Sequence, residues 1–190
     1  RKTSVTSVKS TAYNKLKASW KVVPAATSYQ IYRSTAKDGD YQNIKTINSV
    51  GTSSWTDGSV KTGKTYYYKI KTVVKTQNGE QTSGFSNVKY AKAVPAKTTL
   101  KAKALDAKNV KLTWSKVKGA SGYEIYRSNS KDGKYSKVKT ISKGSTTSYK
   151  NGKLKKSTTY YYKIRAYRKV NGKKVYGSYS SVVSVKTKAK

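Results

Sequence analysis

The hexapeptide TYYYKI occupies residues 65–70 and returns at residues 159–164, 94 positions later. Other matches at the same offset are Trp20 with Trp114, YQIYRS at 29–34 with YEIYRS at 123–128, and KDG at 37–39 with KDG at 131–133. A self-match at one constant offset along most of a chain indicates that a structural unit has been duplicated. We therefore predict two tandem domains, residues 1–93 and residues 94–190.

The apolar spacing within TYYYKI is typical of a β-strand. Residues i and i+2 of a strand share one face of the sheet, so Tyr66, Tyr68 and Ile70 lie together. We expect this face to enter the core, because it continues an alternation of apolar positions. Tyr67 and Lys69 are then expected on the outer face.

The same two-residue period runs through the rest of each copy. In NVKLTWSKV at 109–117, Val110, Leu112 and Trp114 alternate with polar residues. The turn dipeptides are Asp38-Gly39, Asn78-Gly79, Asp132-Gly133 and Asn171-Gly172. Such dipeptides supply the positive φ angles of tight hairpins. About seven short antiparallel strands per copy predict an all-β fold, two tandem Ig-like β-sandwiches.

Several motifs resemble the fibronectin type III domain, and the resemblance covers the whole chain as two copies. They are an early-strand Trp, GYEIYR at 122–127, and a Leu followed six residues later by Tyr in LKKSTTYYYKIRA at 154–166. The resemblance implies that Tyr66 and Tyr160 are tyrosine-corner residues, whose hydroxyls bond to the upstream backbone. In its lysine and tyrosine content the chain is also similar to fibronectin-type repeats of Gram-positive bacterial surface proteins.

The composition is strongly basic. The 42 Lys and Arg residues outnumber 7 Asp and Glu, for a formal charge of +35. This charge attracts polyanions such as nucleic acid, anionic lipid or cell-wall polymers. Only five basic residues are Arg, and Arg is the side chain that reads guanine edges, so sequence-specific nucleic-acid recognition is disfavoured. The charge is +12 in residues 1–94 and +23 in residues 95–190, which points to the second copy for any charge-driven site.

Catalysis is disfavoured by the residue types present. The chain has neither Cys nor His, which excludes Ser-His-Asp and Cys-His nucleophiles, and most of its few acidic residues fall in turns. We expect no enzyme, no catalytic residue, no cofactor and no metal site. No 18-residue apolar run occurs, so no membrane span is expected. With no signal segment and a first residue of Arg1, we expect a fragment of a longer exported chain, extracellular or on the cell surface.

The outward positions of neighbouring strands form the candidate binding faces. The candidate polymer-binding residues are Tyr32, Tyr67 and Lys69 in the first copy and Tyr126, Tyr161, Lys163, Arg165 and Tyr167 in the second. Gln30 and Glu124 are expected outward beside them. Aromatic rings beside cations suit sugar stacking and anionic polymers, and also single-stranded nucleic acid. The alternative is that cross-strand Tyr pairs only stabilise the sheet, by roughly 0.2–1 kcal/mol each.

Two functions remain open at this point. The first is a non-catalytic extracellular module that acts as a structural spacer or in adhesion within a larger bacterial surface protein. The alternative is a binding module for anionic cell-wall polymer, glycan or host-matrix polysaccharide, acting through the Tyr/Lys faces. Self-association through exposed sheet edges is a further possibility for either.

Overall fold

The computed structural model describes residues 1–190, which divide into two compact units, Arg1–Val94 and Pro95–Lys190. Both units consist of β-strands joined by turns and loops. No helix is long and apolar enough to cross a lipid bilayer. The prediction of an all-β fold is confirmed.

The first unit is a sandwich of two antiparallel sheets. Its strands are β1 (Val5–Ala12), β2 (Lys15–Trp20), β3 (Ser28–Ser34), β4 (Gln42–Ile47), β5 (Ser54–Asp57), β6 (Thr65–Thr76), β7 (Gly79–Thr82) and β8 (Lys89–Lys92). One sheet has the order β1-β2-β5. In the other the order is β4-β3-β6, and the free side of β6 pairs with β8 along its first half and with β7 along its second.

The second unit repeats this plan strand for strand. Its strands are β9 (Leu100–Ala104), β10 (Val110–Trp114), β11 (Gly122–Ser128), β12 (Ser136–Ile141), β13 (Ser148–Asn151), β14 (Thr159–Val170), β15 (Lys173–Tyr176) and β16 (Val183–Lys186). One sheet has the order β9-β10-β13, and the other has β12-β11-β14 with β15 and β16 paired to β14. Each unit thus has the expected strands plus one short hairpin arm, β7 or β15.

The core of each unit lies between its two sheets and follows the two-residue period. Tyr66, Tyr68 and Ile70 of β6 are buried, whereas Tyr67 and Lys69 between them are partly exposed. Trp20 of the opposite sheet packs on Tyr29 with ring centroids 5.5 Å apart. The second unit has the equivalent contact between Trp114 and Tyr123 at 5.4 Å. The predicted inward and outward faces of the TYYYKI strands are therefore confirmed.

The tyrosine corner is present in both units. The hydroxyl of Tyr66 accepts a hydrogen bond of 3.1 Å from the backbone N–H of Lys61. The hydroxyl of Tyr160 accepts the same bond from Lys155 at 3.0 Å. Each bond links the start of a long strand to the loop before it, as the resemblance implied.

The turn dipeptides do not all act as predicted. Asn171 and Gly172 have φ of 48° and 77°, the pair of positive angles that a two-residue hairpin requires. Gly39 and Gly133 lack positive φ, so the prediction of tight hairpins at the Asp-Gly dipeptides is wrong. They lie in the longer connections between β3 and β4 and between β11 and β12, where no tight turn is needed.

Candidate polymer-binding faces

Strand register sets the first candidate face on the outer side of the sheet containing β3 and β6. Tyr32 of β3 lies directly opposite Lys69 of β6, and Gln30 lies opposite Lys71. Residues directly opposite on one face are close enough for their side chains to interact. The register therefore brings together Tyr32 and Lys69, two of the residues predicted from the sequence.

Aromatic rings and lysines alternate on this face. The rings of Tyr32 and Phe85 meet edge to face at 4.9 Å. Lys69 places its Nζ 4.1 Å from the ring centroid of Tyr41 and 5.5 Å from that of Phe85. Lys71 places its Nζ 4.4 Å from Phe85 and 5.4 Å from Tyr32. These are cation–π distances, so the rings hold the two ammonium groups at the surface.

The edge of the same face is formed by Tyr67 and Tyr90. These residues are cross-strand partners on β6 and β8, with ring centroids 5.1 Å apart and planes inclined by 35°. Tyr90 is 63% exposed, and Phe85 is 37% exposed. We call the set Tyr32, Tyr41, Tyr67, Lys69, Lys71, Phe85 and Tyr90 the first face.

The second unit carries an equivalent arrangement around β11 and β14. The rings of Tyr126 and Tyr179 meet edge to face at 5.2 Å. Lys163 lies 4.2 Å from the ring of Tyr135 and 4.5 Å from that of Tyr179. We call the set Tyr126, Tyr135, Tyr161, Lys163, Arg165, Tyr176 and Tyr179 the second face.

Arg165 differs in its surroundings from its counterpart Lys71. Its guanidinium carbon lies 3.7 Å from the ring centroid of Tyr176 and 4.9 Å from that of Tyr179. It also donates a 2.9 Å hydrogen bond from Nη2 to Oε2 of Glu124. Arg165 is thus both stacked and ion-paired, whereas Lys71 has only ring contacts.

Glu124 is the centre of a buried ion network, which corrects its expected exposure. It lies on the outer side of the sheet, but only 1% of it is exposed because other side chains cover it. Its other donors are the Tyr126 hydroxyl at 2.8 Å, Lys174 Nζ at 3.0 Å and the Tyr176 hydroxyl at 3.2 Å, with Lys137 Nζ 3.5 Å away. Burial opposes ionisation, yet the bonds from Arg165, Lys174 and Tyr126 outweigh it and lower the pKa of Glu124 to about 2.

Tyr167 is not an exposed binding residue, so its prediction as one is wrong. Its ring is 1% exposed although it follows the outward positions of β14. Lys174 lies 4.5 Å above the ring, and Tyr176 packs against it at 6.2 Å. Its hydroxyl donates a 3.3 Å bond to the carbonyl of Ile141. The β15 hairpin arm therefore covers Tyr167.

Sequence reasoning missed the loop residues of both faces. Tyr41 and Tyr135 lie at equivalent positions, as do Phe85 and Tyr179, so the 94-residue offset was the signal that could have found them. Strand alternation could not, because these residues precede or follow the strands. No group of three or more Asp or Glu side chains is arranged to hold a metal ion.

Comparison with known proteins adds partial matches. No protein-family model matches the chain. Over 84 residues, 44% of its length, the chain is 38% identical to an amylopullulanase of Thermoanaerobacter thermohydrosulfuricus. The matched segment is 5% of that protein, so the chain spans a small part of this relative's length.

Two solved structures match nearly the whole chain at low identity. A two-domain fibronectin type III segment of chicken tenascin is 16% identical, with 98% of this chain and 100% of that chain covered and a TM-score of 0.48. The FN1–FN3 domains of chicken CNTN1 are 19% identical, with 97% and 67% covered and a TM-score of 0.44.

The strand order within each unit identifies the fold without these matches. The sheet β1-β2-β5 packs on a sheet in which β3 and β6 are neighbours, with β4 beside β3 and β8 beside β6. β9 to β16 repeat the same order. The chain therefore has the fold of two tandem fibronectin type III β-sandwiches.

Proposed function

We propose that the chain is a non-catalytic module of a larger exported protein and that it adheres to anionic polysaccharide through its aromatic–cation faces. It separates or displays neighbouring domains at the same time, in an extracellular or cell-surface setting. The observation that carries the proposal is the repetition of one arrangement. In both units an edge-to-face ring pair, a loop Tyr and a β-strand Lys occupy equivalent positions.

The chemistry of these faces suits a polymer of charged sugars. Tyr and Phe rings offer flat apolar surfaces to the C–H faces of sugar rings, and Lys is a hydrated point charge that attracts anionic groups. The partial match to a protein named as an amylopullulanase supports a polysaccharide setting, because the chain would then resemble one module of a large glycan-acting enzyme.

Retention on immobilised polymers tests the proposal. Polygalacturonate presents sugar rings and charge, polyglutamate presents charge alone, and dextran presents rings alone; single-stranded DNA is the fourth arm. We expect the strongest retention on polygalacturonate, outlasting that on polyglutamate as salt rises through about 150 mM, where exposed charges are screened beyond about 8 Å. A chain retained equally by all three polyanions, with the same steep salt dependence, would bind by diffuse charge only.

The second candidate function is a spacer without a ligand. It is favoured by the contacts that the rings and cations make with one another, since these stabilise an exposed sheet without any partner. A variant combining Tyr32→Ala, Tyr67→Ala, Tyr126→Ala and Tyr161→Ala separates the two. Unchanged retention by a folded variant, judged by circular dichroism, would favour the spacer.

Self-association through sheet edges is open to a direct measurement. The edge strands β4 and β12 carry Lys45, Lys137 and Lys139, and charged edges oppose strand-to-strand pairing. We therefore propose that the module acts as a monomer, and light scattering across a concentration series would show a rising mass if it does not.

A further inference from the structure

We infer that the first face is the stronger site for acidic polysaccharide, and that on the second face Glu124 competes with the ligand for the cations. The inference rests on the proposed function and ranks the two faces as binding sites for its ligand. Net charge alone would favour the second unit, because residues 1–94 carry +12 and residues 95–190 carry +23. We infer that the pairing of the cations within each face, rather than the net charge of the unit, decides which face binds more tightly.

The two faces differ at one pair of equivalent positions, Gln30 and Glu124. On the second face the buried carboxylate of Glu124 accepts from Arg165 at 2.9 Å and Lys174 at 3.0 Å. An incoming anion would have to compete with that carboxylate and would be repelled by it. Like charges brought together at a binding surface repel each other, so Glu124 weakens the attraction of the second face for anions.

On the first face the same position is neutral. Gln30 accepts a 3.0 Å bond from the Tyr32 hydroxyl and carries no charge. No acidic side chain forms an ion pair with Lys69 or Lys71; in this unit the ion pairs are Arg33–Asp57 and Lys75–Glu80. The positive charge of this face is therefore available to a ligand.

The rings differ in the same direction. On the second face the guanidinium of Arg165 lies 3.7 Å from the ring centroid of Tyr176 and covers one side of that ring. The first face presents Tyr90 at 63% exposure, and the equivalent residue of the second unit is Ser184. Tyr90 rests against Tyr67 at 5.1 Å, which holds its ring in place. Phe85 and Tyr90 are thus exposed rings on the first face, whereas every ring of the second face is only partly exposed.

The geometry favours an extended polymer over a small anion. Lys69 and Lys71 lie two residues apart on β6, about 7 Å along the strand, with rings on either side. This places two cations where successive charged sugars of one chain can reach them. A Lys ammonium group can bind an anion from many directions and therefore gives little selectivity by itself. Selection of charged sugars then depends on ring stacking together with charge.

Reciprocal exchange of the two residues in the full chain tests the inference on polygalacturonate. We expect Gln30→Glu to raise Kd about tenfold, because it introduces the repelling carboxylate. Thr56→Glu adds the same charge on the other sheet of that unit, and we expect less than about a twofold change from it, since its charge is screened. Tyr90→Ser, which copies the second unit, should raise Kd about fivefold through lost stacking.

The exchange in the second unit gives an independent readout. Glu124→Gln should lower Kd at least about twofold by freeing Arg165 and Lys174. Asp106→Asn makes the same charge change in the connection between β9 and β10 of the other sheet, and it should not lower Kd. Equal effects of Gln30→Glu and Thr56→Glu, or binding that is lost only with Tyr126→Ala, would overturn the assignment while leaving polysaccharide binding intact. Parent retention on polyglutamate equal to that on polygalacturonate would instead overturn the proposed function itself.

Discussion

The hydroxyl of Tyr68 donates a 2.8 Å hydrogen bond across the sandwich to the buried carboxylate of Asp57. Tyr68 lies on β6 and Asp57 on β5, so the bond joins the two sheets of the first unit. Arg33 donates to the same carboxylate oxygen at 2.6 Å. In the second unit Tyr162 makes the equivalent 2.8 Å bond to Asn151, which is uncharged.

This difference predicts acid sensitivity in the first unit. Burial opposes the ionisation of Asp57, but the bonds from Ser59, Tyr68 and Arg33 outweigh it and hold its pKa below 3.8. A carboxyl group whose pKa is lower in the folded state than in the unfolded state stabilises the fold at pH values above its unfolded pKa. This stabilisation is lost as the pH falls through the folded-state pKa. We expect Asp57→Asn to cost about 2 kcal/mol at neutral pH, with the cost disappearing in strong acid.

Hydrogen exchange can measure this, because it reports the stability of each unit on that unit's own amides. Asn151→Asp is the matched control, since it places a carboxylate beside Arg127 and should give the second unit the same kind of acid dependence. A cost for Asp57→Asn that stays constant from neutral pH to strong acid would contradict the ionised role of Asp57.

The buried carboxylate of Glu124 should make the stability of the second unit depend on pH as well. Its pKa falls from 4.5 to about 2 in the folded state, so its stabilisation is present above pH 4.5 and is lost between there and about pH 2. We expect Glu124→Gln to lower the free energy of unfolding by about 2 kcal/mol at pH 7. Denaturant unfolding across this pH range checks it, and Asp132→Asn should leave the profile unchanged.

Substitutions at Gly122 and Tyr167 should have stability effects that depend on each other. They are cross-strand partners, and their counterparts in the first unit are Ser28 and Val73. A Cβ at Gly122 would collide with the Ile141 carbonyl oxygen and lie 2.5 Å from the Tyr167 hydroxyl oxygen. We expect Gly122→Ser to cost roughly 3 kcal/mol through overpacking.

Tyr167→Val should recover part of that cost when combined with Gly122→Ser, because it removes one of the two collisions. A double-mutant cycle by urea unfolding measures the recovery, with an expected coupling on the order of 1 kcal/mol. Strict additivity of the two substitutions would show that the Tyr167 ring does not occupy the space above Gly122.

Two left-handed residues predict stabilising glycine substitutions. Ala25 has φ of 65° where the second unit has Gly119 at 75°, and Ser157 has φ of 51° where the first unit has Gly63 at 83°. The left-handed region costs a non-glycine residue about 1–2 kcal/mol, partly offset by the greater unfolded-state entropy of Gly. We expect Ala25→Gly and Ser157→Gly each to raise the free energy of unfolding of its own unit by about 0.5 kcal/mol. The melting temperature of that unit should rise accordingly.

Calorimetry of the two variants checks this, since each should shift only the transition of the unit that contains it. The exposed Gly51 serves as a control site: its φ is not positive and nothing crowds it, so Gly51→Ala should not lower stability. A loss of stability in both glycine variants would contradict the prediction, because it would mean that the positive φ angles of Ala25 and Ser157 cost the folded loops little.

The strand periodicity and the repeat made much of the fold predictable. Tyr66, Tyr68 and Ile70 follow one face because the side-chain period of a strand is two, and that rule needs no tertiary information. The tyrosine corner followed from a resemblance carried by the spacing of Leu154 and Tyr160. The loop rings Tyr41 and Phe85 were outside the reach of periodicity, because no regular backbone relates them to the strands.

The sequence by itself determined that two all-β units repeat at 94 residues, and which strand residues face inward or outward. Only the tertiary structure decided which outward residues remain accessible. By the two-residue period, Tyr167 and Glu124 lie on the outward side of their strands, as their partly exposed neighbours do. Lys174 and Tyr176 of the β15 arm nevertheless contact and cover both. Alternation assigns a side of the sheet, whereas exposure depends on the side chains that other strands lay across it.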